Sequence, residues 1–504
     1  MITCLFFKGK IKNEKDLCGL LGMDSLNAGN LIAAGFSKFG YDFFEKLNGL
    51  FAFVLRDADT DTFICARDRF GGQALYYGFD RNGTPVFSDA IQKLLTKHGI
   101  PKKFREDLLE IYLSYSYMPG EETFFEGISK PLPGYYYVFK PHQVEKKRYF
   151  TPCYHIDDTK TLDEWAGRLS DCLDEIFAET TDCDASLLSG GIDSTYLAMR
   201  TAVKDTYTAA YQTETFSESD MAAETSAQIG ADHHAIPVTP ETYLSAVPLT
   251  LSALEQPAGD PSACVLYRLC EAVAADHPTC YSGEGVDELF MGYYYHDIFH
   301  LPAGSDPKSA GYIGCMQVFS HEEKGRYLKN YDKSNLMAYT DEVYRLTQHE
   351  DHLNQAALLD LLIWMNGNLL PNVGCIGDHT GLNFETPYLD NRLYDLTLQI
   401  PSIFKRPAEQ TKLVFRKAIE KVLGQAAANR PKRGFPVPTR LWMRRPDYIE
   451  TLKAAFTSET AERFFNTDVL LNEYDRLLQD ETDTWTWRQL WCIYCFIIWY
   501  DLFF

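Results

Sequence analysis

The chain has 504 residues, 45% of them apolar, and a formal net charge of −22. At about 100–200 residues per domain this length carries more than one domain, and two are expected, while so acidic a balance excludes a nucleic-acid surface, which needs clustered Lys and Arg. Thirteen scattered cysteines are no disulfide framework, and Met1 to Lys8 lack the long apolar core of a signal peptide, so a cytoplasmic enzyme is expected.

From residue 1 to about 150, short runs rich in Phe, Tyr and Val alternate with Gly, Asp and Asn clusters, as in Ala52–Arg56, Thr62–Arg67 and Tyr135–Lys140. These predict mostly antiparallel strands. After Thr151 the pattern becomes a strand followed by a longer helix. Leu162–Ala178 reads as helix and Ser186–Leu188 as strand, and such alternation implies a parallel sheet covered by helices. Asp341 to Tyr500 reads as largely helical. Within it, Trp491 to Tyr500 is too short for the ~20 apolar residues of a membrane span and reads as a buried closing helix. Cys492 and Cys495 have no second C-x-x-C to complete a metal site, so they belong to the packing of that helix.

Two loops carry the chemistry. Ser189-Gly190-Gly191-Ile192-Asp193-Ser194 follows an apolar run and precedes an amphipathic segment that begins at Thr195. A glycine turn at a strand-to-helix junction lets backbone N–H groups close around an anion, and the helix N-terminus adds partial positive charge. No Lys follows as in a Walker loop, and G-x-G-x-x-G is absent. Asp193 adds a carboxylate that can hold Mg2+ beside bound phosphates. Tyr281-Ser282-Gly283-Glu284-Gly285-Val286-Asp287-Glu288 repeats the design. At the ends of parallel strands the two loops make one crevice, with Asp193 facing Asp287 and ATP with Mg2+ as the expected occupants.

With these loops, the order of Phe216-Ser217-Glu218-Ser219, Gln256-Pro257-Ala258-Gly259-Asp260-Pro261-Ser262, Pro387-Tyr388-Leu389-Asp390, Lys412 and Arg430-Pro431-Lys432-Arg433-Gly434-Phe435-Pro436 resembles the ATP-pyrophosphatase synthetases, and among them the asparagine synthetase family. Upstream, Leu47-Asn48-Gly49-Leu50-Phe51, Ala66-Arg67-Asp68-Arg69-Phe70-Gly71-Gly72 and Pro131-Leu132-Pro133-Gly134 are similar to the later part of that family's glutaminase domain. The resemblance implies an α/β chain with an antiparallel amidotransferase-like domain over 1–150 and a parallel-sheet ligase domain with a helical C-terminal part over 151–504. It implies nucleotide contacts from Leu188, Ser189, Gly190, Gly191, Asp193, Ser194, Tyr211, Ser282, Gly283 and Glu284, and Mg2+ on Asp193 and Asp287. Lys432, with Lys412 as a second cation, is implied to stabilise the charge that gathers on pyrophosphate. Asp390 reads as a helix N-cap for Arg392 onward.

Departures from the family limit what carries over. Its glutaminase domain starts with a Cys whose thiolate attacks glutamine with its own α-amine as base. Here the first residue is Met1 and Cys4 is internal. Lys8 and Lys10 replace an amide donor and a carboxylate, and Ala28 stands where the family has the acidic residue that holds glutamine's amine. Glutaminase activity is therefore expected to be lost. In the ligase half the family's Lys, Asp and Arg give way to Asn372, Gly374 and Cys375, its Glu to Asn383, and its next Arg to Glu385. An Asn takes no proton at neutral pH, so Asp378, His379 and Glu385 are the candidate bases.

The expected function is an ATP-dependent amide-forming ligase that adenylates a carboxylate before an amine attacks. The alternatives are a conventional asparagine synthetase using free ammonia or glutamine, an intramolecular cyclase of the β-lactam or lasso-peptide type, and a nucleotide-binding pseudoenzyme. The expected partners are a small-molecule or peptide carboxylate and an amine, with no nucleic acid and no membrane; a homodimer or a biosynthetic partner protein is the macromolecular possibility.

Overall fold

The computed structural model describes residues 1–140, 143–181, 183–212, 218–300, 308, 311–314, 317–331, 338–431, 434 and 436–504, the side chains of 298–300 and 339 excepted. The first sheet is antiparallel, with strands β1 (Ile2–Ile11), β2 (Gly49–Asp57), β3 (Thr62–Arg67), β6 (Tyr135–Lys140) and β7 (Gln143–Arg148) side by side in that order; β4 (Tyr76–Phe79) and β5 (Pro85–Ser88) form a separate hairpin. Alternation in β2 explains its central place. Phe51, Phe53 and Leu55 pack on Leu31, Ile32, Phe43 and Phe44, while Ala52 and Val54 face Leu75, Tyr137 and Phe139 on the other side.

The second sheet is parallel, with strands β8 (Ala185–Leu187), β9 (Asp205–Ala210), β10 (Asp232–Pro237), β11 (Thr279–Tyr281) and β12 (Asn383–Glu385) in the order β10-β9-β8-β11-β12. The helix Leu162–Ala178 covers its approach. A capping box opens this helix, in which the Thr161 side chain accepts from Glu164 N and the Glu164 carboxylate accepts from Thr161 N. Its buried stripe is Trp165, Leu169, Leu173 and Ile176, at helical spacing. Strand β8 is shifted one residue earlier at both ends than the Ser186–Leu188 expected from the sequence. The helix after the first glycine loop, Ile192–Thr201, starts three residues before Thr195. The reason is local: Gly190 takes φ 75°, a left-handed turn that sends the chain straight into the helix.

Residues beyond 341 are mostly helical, with β12 the strand among them, and include a π-helical stretch over Asp360–Leu369. The closing helix Thr486–Phe503 is buried as expected, Cys492 and Cys495 included. It packs on residues far upstream: the Phe124 ring lies 5.0 Å from Trp499, Phe125 lies 5.1 Å from Phe504, and Tyr112 donates to the Cys492 carbonyl at 2.8 Å. One hydrophobic core thus joins buried residues between Phe70 and Ile128 to buried residues between Tyr154 and Phe503. Among the described residues no helix is long and apolar enough to cross a membrane.

Candidate active-site cleft

The glycine loops leave the C-terminal ends of β8 and β11 and open into one cleft of about 590 Å³. Leu188, Ser189, Gly191, Asp193, Ser194, Tyr211, Ser282, Gly283 and Glu284 all line it, with Gly190 forming the turn behind. The first loop is shaped in advance by its own hydroxyls. Ser189 N donates to Ser194 Oγ at 3.1 Å, and Gly191 N donates to Ser189 Oγ at 3.3 Å.

At the mouth of both loops sits Lys412. Its side chain is 2% exposed, and its Nζ lies 2.6 Å from Asp193 Oδ2 and 2.7 Å from Asp287 Oδ1. Burial works against the ammonium, but the two carboxylates outweigh it and raise the pKa, so Lys412 is held charged. Three features place it there. The lysine adopts φ 56°, a left-handed conformation that costs of order 1–3 kcal/mol and persists only where the surroundings impose it. Arg416 imposes the turn, its Nε donating to the Thr411 carbonyl at 2.7 Å and its Nη1 to the carbonyls of Ala428 and Arg430 at 2.8 Å. Gly292 makes room, since a Cβ there would lie 1.8 Å from Asp287 Oδ1 and 2.1 Å from Lys412 Cε.

Two facing carboxylates beside an anion-binding loop are a donor set that suits Mg2+, which takes one or two carboxylates together with phosphate oxygens. Asp193 and Asp287 would hold it. Behind Asp287, burial and then the Asp287 charge push the Glu288 carboxyl up to about 8, and Tyr293 donates its hydroxyl to it. Lys432 and Arg433 lie outside the described residues. Pro431, Gly434 and Pro436 around them line the cleft.

The rest of the lining is rich in aromatic side chains and also carries the charged Asp260, Arg430 and Arg488. Tyr115, Tyr293, Tyr294, Tyr295, Trp364, Leu369 and Val373 belong to it, and Trp364 Nε1 donates to Tyr293 Oη at 3.3 Å. Asp260 caps the helix Pro261–Ala274 by accepting from Ser262 N, and its Oδ2 takes a 2.6 Å hydrogen bond from Asn368 Nδ2; Asn372 continues this row, 3.5 Å from Asn368 Oδ1. Sequence reasoning missed Arg416, Tyr293 and Trp364, which carry no motif.

The three candidate bases are not brought to the cleft. Glu385 turns to Lys10, Oε1 to Nζ 2.8 Å; Asp378 pairs with Lys8; and the His379 ring sits 5.9 Å from that of Tyr267. Asn383 is exposed, with Nδ2 3.4 Å from the Pro278 carbonyl. Asp390 is a buried N-cap for Asn391–Thr397, its side chain accepting from Arg392 N. Although burial opposes it, hydrogen bonds from Arg392 and the charges of Lys12 and Arg392 hold the Asp390 carboxyl below its usual range.

Comparison with known proteins agrees with this geometry. The asparagine synthase family profile matches residues 180–501, and that of the glutamine amidotransferase domain matches residues 3–150. The chain is 25% identical over 502 residues to asparagine synthetase [glutamine-hydrolyzing] 1 of Bacillus subtilis, covering 91% of this chain and 78% of that one. It is 27% identical over 524 residues to a putative asparagine synthetase [glutamine-hydrolyzing] of Mycobacterium tuberculosis, covering 94% and 80%. With the two glycine loops, the parallel sheet that carries them and a profile match over most of its length, the chain belongs to the asparagine synthase family.

Proposed function

We propose that this chain is an ATP-dependent ligase that activates a carboxylate as an acyl-adenylate, releasing pyrophosphate, and forms an amide when an amine displaces AMP. In this reading residues 151–504 do the chemistry and residues 1–150 are a docked amidotransferase-like unit that hydrolyses no glutamine. The observation that carries it is Lys412 between Asp193 and Asp287 at the mouth of the two glycine loops. Backbone N–H groups of the first loop and the N-terminus of Ile192–Thr201 receive phosphate oxygens. The buried Lys412 ammonium stabilises negative charge as the α-phosphorus–oxygen bond to pyrophosphate breaks and the carboxylate oxygen bonds in its place. Mg2+, when bound, neutralises further phosphate charge. The test is ATP–pyrophosphate exchange across a panel of carboxylic acids and peptides, since exchange reports adenylation without the matching amine. Exchange with none of them, together with tight nucleotide binding, would favour a pseudoenzyme.

Aspartate is expected to be a poor substrate, and a larger carboxylate bearing an aromatic or apolar group a good one. Tyr115, Tyr293 and Trp364 offer stacking surface. Asn372, where the family resemblance implies a Lys, offers no charge to pair with a group of a small zwitterion, and a site without that partner loses the discrimination it brings even though Asp260 and Arg488 keep charge elsewhere in the cleft. Exchange rates for aspartate against aromatic acids and peptides check this, and submillimolar half-saturation by aspartate with asparagine formed from ammonia would restore the conventional activity.

The purified protein is also expected to release no glutamate from glutamine, with or without ATP. Cys4 lies inside β1, its thiol donating to the Phe6 carbonyl at 3.2 Å, and burial raises its pKa, the reverse of what a nucleophilic thiol needs. Lys8 and Lys10 are engaged with Asp378 and Glu385. A coupled glutamate assay on the wild type and on Cys4→Ala decides it; steady release from both would reveal another nucleophile.

A further inference from the structure

β1 and the residue after it present Lys8, Lys10 and Lys12 at alternate positions, hence on one side of the sheet. All three reach one segment of the ligase half. Lys8 pairs with Asp378, Lys10 Nζ lies 2.8 Å from Glu385 Oε1, and Lys12 Nζ lies 3.6 Å from Asp390 Oδ2 and donates to the Leu389 carbonyl at 3.2 Å. The partner carboxylates are 44%, 23% and 0% exposed in that order, so of the three only Asp390 is fully buried. Exposed pairs of this kind contribute little, whereas breaking a buried one leaves an uncompensated charge. Asn48 completes the buried end. Its Nδ2 donates to Asp390 Oδ1 at 3.1 Å, its Oδ1 accepts from Asn391 N at 3.0 Å, and Asn391 Nδ2 donates to the Leu47 carbonyl at 2.8 Å.

The gripped residues touch both nucleotide loops on their other side. Tyr388 donates its hydroxyl to the Asp193 carbonyl at 2.8 Å, which fixes the backbone of the first loop. Leu389 packs onto Gly285 of the second so closely that a Cβ there would lie 2.5 Å from Leu389 Cδ2. From this chain of contacts we infer that Lys12 and Asn48 are positioning residues for the nucleotide site: the N-terminal sheet sets the separation of Asp193 and Asp287 by holding Asp390 and Leu389. The inference rests on the nucleotide reading above. It gives the amidotransferase-like unit a task that needs no glutamine chemistry, and it gives the lysines a use of their own.

The test compares Lys12→Met, Lys12→Arg, Tyr388→Phe and Lys8→Ala in the full chain. It reads the dissociation constant of ATP with Mg2+ by calorimetry, pyrophosphate exchange, and thermal unfolding. Lys12→Met and Tyr388→Phe should weaken nucleotide binding by about tenfold or more, the scale of a lost partner behind a site. Lys12→Arg should recover most of that loss, and Lys8→Ala should bind as the wild type does. Tyr388→Phe keeps the buried ring and loses only the hydroxyl, so it answers the question even where Lys12→Met fails to fold. Unchanged affinity in both Lys12→Met and Tyr388→Phe, or equal losses in Lys12→Met and Lys8→Ala, would overturn the inference while leaving the ligase reading intact. Absence of nucleotide binding by the wild type would remove both.

Discussion

Asp193→Asn and Asp287→Asn should each abolish ATP–pyrophosphate exchange while the protein stays folded. Each change is close to isosteric and sits at the lip of the cleft, not in the core. Lys412 keeps one carboxylate partner in either variant, because its ammonium contacts Asp193 Oδ2 at 2.6 Å and Asp287 Oδ1 at 2.7 Å. The expected stability change is therefore small, since the group of one cation and two carboxylates becomes one neutral pair. The effect on activity is large, because an amide is a far poorer Mg2+ ligand than a carboxylate and the phosphates lose their counter-charge. Exchange kinetics with circular dichroism melting in parallel check both halves. Near wild-type exchange in either variant would overturn the assignment of the cleft.

Lys412→Met should fail in the opposite way, losing stability as well as turnover. Removing the ammonium leaves two carboxylates facing one another without a cation, a situation that typically costs 3–5 kcal/mol when a buried pair is broken. Turnover should fall by about 10²- to 10³-fold, the usual result of deleting one preorganised charge in a closed site. The variant also makes a prediction that separates it from a merely damaged protein. Mg2+ should raise its melting temperature more than that of the wild type, because the divalent ion then meets Asp193 and Asp287 with no ammonium already neutralising them. Melting curves across a Mg2+ titration measure the difference; equal shifts in both proteins would separate the metal site from Lys412.

The glycine-loop half of the cleft was legible in the sequence because each loop is a contiguous string of glycines, hydroxyls and carboxylates at the end of a strand. Helix Leu162–Ala178 was legible for a similar reason, its N-cap and apolar stripe being local. The helix starting at Ile192 was misplaced by three residues, since its apolar periodicity is masked where the first turn serves the loop. Lys412 was readable as a cation but not as a buried one, because that depends on Asp193, 219 residues away. The aromatic part of the lining was illegible. Tyr115, Tyr293 and Trp364 come from separate segments and look in sequence like ordinary core aromatics, and the π-helical Asp360–Leu369 alters the face on which Trp364 and Leu369 emerge. Lys8 and Lys10 stood out as departures from a family pattern, but their partners Asp378 and Glu385, like the pairing of Lys12 with Asp390, could be known only from the folded chain.

The closing helix also bears on how the chain is made. Tyr112 and the Cys492 carbonyl that it grips are 380 residues apart, and the aromatic seam formed by Phe124, Phe125, Trp499 and Phe504 spans the same gap. A ribosome adding about 5–20 residues per second needs roughly 20–75 s to cover it. For that interval Phe104, Tyr112, Phe124 and Phe125 lack the aromatic cover that the closing helix provides, a sticky surface on a nascent polypeptide that invites chaperones or aggregation. Yield in cells should accordingly follow the rate of elongation and the supply of holdases.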